Sequence, residues 1–195
     1  WSHGAGYFEY QLRLPRGLKA EDIAGCRLVI EMGSKADSER LDWPQRKTPA
    51  DYPQTDGKTW PSEVRISLNG APLQAVTLEN DFADARGVLS HAAKFHHGSC
   101  GALVEAPVEG EALAALRRAL TGNRVVTLRF EVPADAAHRG GLALYGHNMG
   151  SWPSDPALVF SLAPGAPKPK GNAKVLNIRK PRSAALPRKS PDGQP

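Results

Sequence analysis

One short stretch constrains this chain more than any other. Val64, Ile66 and Leu68 stand at alternate positions, and Asn69-Gly70 follows at once. A period of two puts the three apolar side chains on one face of a strand. Asn-Gly suits a type I′ turn, whose two central residues both need positive φ. Leu73–Leu78 then supplies a return strand. A slip of one residue would expose all three apolar side chains, so the register of this hairpin is pinned.

The same period recurs along the chain. Phe8, Tyr10, Leu12 and Leu14 alternate within Tyr7–Leu14, and Val126, Leu128, Phe130 and Val132 within Arg124–Val132. Cys26–Met32 is a compact apolar run, and Cys100–Val104, Leu142–Tyr145 and Ala157–Leu162 read as further strands. Only Glu111–Leu120 has a helical period: Leu113, Leu116 and Leu120 share a face, and Gly122-Asn123 stops the helix. Roughly eight strands, one short helix and no βαβ alternation predict an all-β fold. The expected architecture is an antiparallel β-sandwich, a jelly roll with one short helix. No internal repeat is visible.

The 195 residues suffice for one domain and a tail. Residues 164–195 hold seven prolines and eight basic residues against one acidic, a net of +7. Such a segment lacks the apolar surface to offset its ordering entropy, and it is expected to be a flexible tail. Its one apolar patch, Lys174–Ile178, is the alternative: a strand that docks. Residues 1–163, the expected sandwich, carry 17 basic and 19 acidic residues, a net of −2. A nucleic-acid-binding core would carry its own basic stripe, so no nucleic acid is expected on the folded part. No apolar run approaches the roughly 18 residues of a membrane span, and no membrane partner is expected. The chain starts at Trp1 without a signal-peptide pattern. It reads as a processed chain or a piece of a longer protein, and the compartment stays open, a periplasmic or extracellular one being favoured.

Catalytic patterns are missing: there is no nucleophile elbow, no phosphate-binding glycine loop with its Lys, and no helical zinc motif. Asn80, Asp81 and Asp84 offer oxygen donors that suit calcium, although the spacing is not an EF-hand loop and turn-capping explains them as well. No other cofactor is expected. His96-His97 with Cys100 invites a metal, but adjacent residues on a strand point to opposite faces. Cys26 and Cys100 are either two buried free thiols or one disulfide.

The polar-aromatic stretches carry more. A long loop, 33–62, has no apolar period and holds Trp43, Tyr52 and Trp60. Tyr145, His147, Asn148 and Trp152 crowd a second connection. Pyranose C–H faces pack on rings while hydroxyls bond to polar neighbours, so these sets are candidate sugar-binding residues. The alternative is that the rings close the ends of the sandwich. Arg86, two residues from Asp84, either pairs with it or presents its fork to a ligand.

Several strings occur in a telling order. Val64–Gly70 is followed by Asn80-Asp81-Phe82-Ala83-Asp84-Ala85-Arg86-Gly87-Val88-Leu89-Ser90, then by Gly140–Gly146, then by Met149-Gly150-Ser151-Trp152-Pro153-Ser154-Asp155-Pro156. Over residues 7–162 this resembles the accessory jelly-roll domain of bacterial glycoside hydrolases of the family 2 type, which include β-galactosidase-like and β-glucuronidase-like enzymes. The resemblance implies a galactose-binding-like sandwich beside a catalytic barrel outside this chain. The family's catalytic glutamates sit in that barrel, so none is carried over, and whether the chain belongs to an enzyme stays open. The expectation is a non-catalytic domain that binds carbohydrate or shapes a substrate cleft, with that catalytic domain as its partner. The alternatives are a purely structural domain packed on the barrel and a small polysaccharide lyase. The lyase would draw its base and charge-neutralising groups from His96, His147, Tyr145 and Arg86.

Overall fold

Alternation becomes sheet wherever the side chains have a core to enter. A computed structural model describes residues 4–34, 61–78, 102–146, 155–170 and 174–179. β3 (Ser62–Leu68) buries Val64, Ile66 and Leu68, and β4 (Ala71–Leu78) returns antiparallel to it. Asn69 and Gly70 have φ of 49° and 83°, the pair of positive values that the type I′ turn requires. The Asn69 side chain does more: its Oδ1 accepts the Thr127 amide at 2.7 Å, stitching the turn to the neighbouring strand.

That neighbour is β6 (Val125–Val132), whose Val126, Leu128, Phe130 and Val132 are all buried. β1 (Gly6–Arg13) pairs with β6 from Gly6↔Val132 to Arg13↔Val125. β2 (Ile23–Gly33) is longer than the expected 26–32 run and forms the spine of a second sheet. β5 (Ala102–Pro107) covers one side of it. On the other side β7 (Ala143–Leu144) pairs with its C-terminal end and β8 (Ala157–Leu162) with its N-terminal part.

One segment of the expected tail belongs to the sheet. β9 (Lys174–Arg179) pairs antiparallel with β1, from Glu9↔Arg179 to Arg13↔Lys174. The flexible-tail expectation for 164–195 therefore fails at these six residues. β1 would otherwise end the sheet with a row of unpaired backbone groups, and β9 satisfies that row.

Among the described residues the sheets are thus β4-β3-β6-β1-β9 and β5-β2-β7, with β8 also on β2, and every strand pairing is antiparallel. Leu28, Ile30 and Met32 of one sheet share a single apolar core with Val64, Ile66, Leu68 and Phe130 of the other. This is compatible with the all-β sandwich expected.

Helix α1 (Gly110–Thr121) packs on β3, β4 and β6. Its buried stripe is Ala112, Ala115, Leu116, Ala119 and Leu120. Leu113, expected on that face, lies at its rim and is half-buried. The three alanines let the helix axis come close to the sheet. The Gly122 amide closes the helix on the Arg118 and Ala119 carbonyls.

The end of the sandwich nearest α1 is tightly tied. Arg124, in the left-handed region at φ 60°, donates to the carbonyls of Pro15, Leu18 (2.9 Å) and Leu120 (3.1 Å). Its own carbonyl accepts the Leu14 amide at 2.8 Å. One guanidinium thereby satisfies the last turn of α1 and the chain that leaves β1.

Candidate functional site

The opposite end of the sandwich is built differently. β2 finishes there at Gly33 and Ser34, β3 begins at Ser62, β4 finishes at Leu78 and β5 begins at Ala102. The pairings Ser62↔Leu78, Met32↔Ala102, Met32↔Leu144 and Gly33↔Ala143 bring these strand ends together. Residues 35–60, 79–101 and 147–154 all leave and rejoin the sheets at this end.

A lattice of polar contacts, buried at Ser62 and Gly141, holds it. The Ser62 hydroxyl donates to the Gly141 carbonyl at 2.6 Å and accepts the Gly141 amide at 2.8 Å. The Gly140 amide donates to the Pro61 carbonyl, and the Glu63 amide to the His138 carbonyl, at 2.9 and 3.0 Å. Gly141 has φ +124°, a conformation that side-chain-bearing residues rarely adopt. One Ser on β3 is thereby locked to the strand entering the second sheet.

Next to it, the Tyr145 amide donates to the Glu31 carbonyl at 3.0 Å. Glu31 is itself buried, 4% exposed, between the core residues Ile30 and Met32. Gly146 lies so close to Asp155 that a Cβ there would meet the carboxylate Oδ1 at 2.6 Å. A side chain at position 146 would therefore require the Asp155 carboxylate to move. Burial, and then the negative charge of Asp155, push the Tyr10 phenol above its ordinary value. The Tyr10 ring packs edge-on to Phe130 at 6.1 Å.

A groove of about 440 Å³ runs along one side, where β4 and β5 face each other across the two sheets. Val76, Leu78, Leu103 and Val104 give it apolar walls, and Gln74 and Glu105 polar ones. It is within the size range of small-ligand sites. It adjoins the loop-bearing end through Leu78 and Ala102.

Of the residues singled out in the sequence, Tyr145 is described. It is 3% exposed, so its ring is part of the floor rather than an open platform. Trp43, Tyr52, Trp60, Arg86, His96, His147, Asn148 and Trp152 lie outside the described residues, as do Asn80, Asp81, Asp84 and Cys100. Among the described residues no group of three or more His, Cys, Asp or Glu side chains is placed to hold a metal ion. Also among them, no helix is long and apolar enough to cross a membrane. Cys26 is a free, buried thiol, its pKa pushed up to about 12 by burial.

Sequence reasoning missed Glu31, Ser62 and Asp155 as parts of this end. Glu31 left a signal, an acid inside the run Leu28-Val29-Ile30-Glu31-Met32. Ser62 left none, because its role depends on a glycine 79 positions away.

No family model matches the chain, and neither a curated protein nor a solved structure matches it.

Proposed function

We propose that this chain is a non-catalytic domain of the jelly-roll, galactose-binding-like kind, which binds carbohydrate or shapes the substrate cleft of a glycoside hydrolase. One observation supports the reading above others. Three separate stretches, 35–60, 79–101 and 147–154, are anchored side by side at one end of two rigid sheets. These stretches hold eight of the nine residues whose chemistry suits a sugar. Recognition residues tend to sit on connections held by a rigid scaffold, and here the opposite end is tied off by Arg124 and α1.

A second reading has its own support. Tyr145 is buried and Gly146 is pressed against Asp155, which suits an end that is plugged. In that case the domain is structural and packs on a catalytic barrel. Titration calorimetry of the chain against neutral and acidic oligosaccharides separates the two. Saturable heat on one class of glycan is the result expected of the binding domain. No heat on any of them, at chain concentrations well above the micromolar range, removes that reading in favour of the structural one.

A further inference from the structure

The edges of the two sheets are not alike. Natural proteins blunt edge strands with charge, proline, bulges or shortness, because a bare edge is a template for another strand. β9 opens with Lys174 and closes with Arg179. β5 carries Glu105 and ends at Pro107. β4 contains Pro72, and its register skips Leu73. Among the described residues β8 carries none of these devices and pairs on one side, with β2. Its six residues, Ala157-Leu158-Val159-Phe160-Ser161-Leu162, include no charge and no proline. The irregularity in its pairing falls on the β2 side, between Ile23 and Gly25. None of its side chains is fully buried. Val159, at 37% exposure, is the large apolar side chain left open among the described residues.

We infer that β8 is the seam of a symmetric dimer, in which a second copy of this chain adds its own β8 antiparallel to the first. Charge selects this occupant. A twofold axis normal to the sheet brings each residue opposite itself or opposite a neighbour of the same face. An edge bearing a charge near the axis would then meet its own like charge, which opposes association. β8 meets only methyl groups, a ring and a hydroxyl. With Val159 at the axis, Val159 faces its symmetry mate on the outer side and Leu158 lies across from Phe160 on the inner side. Both inner residues already pack against the core, so the pairing runs one apolar layer through two molecules. Pro156 and Pro164 flank the strand and confine the pairing to its length. A twofold contact uses each β8 once, so the assembly closes at two copies. Because the two strands run in opposite directions, the two loop-bearing ends point away from each other.

Sedimentation of the chain over a concentration series tests the assignment. The expected result is a monomer–dimer equilibrium with no larger species. Val159→Lys should weaken association by about tenfold or more, since it sets two ammonium groups face to face. Its circular dichroism should stay that of the unsubstituted chain, because the side chain already stands open. Ser161→Lys, on the same outer face, should act in the same direction. Mixing Val159→Lys with Val159→Glu should restore the dimer that neither forms alone, which requires that position to face itself. A chain that stays monomeric up to about 1 mM overturns the assignment. So does a dimer indifferent to both lysine substitutions, or a ladder of open-ended oligomers.

Discussion

Ser62 sits at the loop-bearing end with both polar functions of its hydroxyl engaged by one glycine. Ser62→Ala leaves a buried carbonyl and a buried amide without partners. It should lower unfolding free energy by about 1–3 kcal/mol, read from urea denaturation. Cys26 makes a prediction of opposite character. Burial raises its pKa from 9.0 to about 12, so the folded chain keeps a proton that the unfolded chain gives up. Below about pH 9 both states hold that proton and stability does not change on its account. Between about pH 9 and 12 only the folded state holds it, so stability falls as pH rises, by about 1.4 kcal/mol per pH unit. Tyr10, raised in the same sense, adds to the decline at the upper end of that window. Urea unfolding at alkaline pH should therefore show a shallower decline for Cys26→Ala than for the unsubstituted chain. Equal slopes would remove the thiol as a cause. At this scale the sequence is mute in a regular way. Cys26 was readable as buried because it starts an apolar run, whereas the Ser62–Gly141 and Gly146–Asp155 contacts join positions that no local pattern links.

Among the elements, the strands of highest contrast were the most legible. β3 and β6 lie where alternation put them, because one apolar face and one polar face leave a single register that buries the first. β9 was visible in the sequence only as the alternative to a flexible tail. Val175, Leu176 and Ile178 are too few to outweigh seven prolines and eight basic residues in a compositional reading. What they gain comes from the open edge of β1, a property of the fold and not of the segment. Removal of residues 174–195 should therefore lower the melting temperature by several degrees and speed hydrogen exchange at those β1 amides that face β9. Unchanged exchange along Gly6–Arg13 would mean that the edge strand contributes nothing measurable. α1 was legible from its leucines, but its approach to the sheet was not, because Ala112, Ala115 and Ala119 count little on a hydrophobicity scale and much in the spacing of axes.

At the scale of the whole molecule, two sheets carry a tied end and a loop-bearing end. The sequence marked out the stretches that hold the aromatic residues, and their common root appears only once Met32, Ser62, Leu78, Ala102 and Leu144 are paired. If rings in these stretches are stacking platforms, Trp60→Ala and Trp152→Ala should each weaken glycan binding by about 1–3 kcal/mol and leave thermal unfolding nearly unchanged. If they plug the end, each should instead cost about 3–5 kcal/mol of stability. Calorimetric binding and unfolding on the same two variants distinguish these outcomes. The wiring of β1 carries a further consequence, in time instead of space. Its two neighbours, β6 at Val125–Val132 and β9 at Lys174–Arg179, are both far downstream. On the ribosome β1 emerges long before either, so the large sheet cannot assemble from its N-terminal side as the chain appears. The β3–β4 hairpin can close at once, but β1 must wait for distant strands. Topologies so rich in non-local pairing refold in milliseconds to seconds, not microseconds. During that interval a newly made chain presents an unpaired β1 to whatever chaperone or neighbouring nascent strand reaches it first.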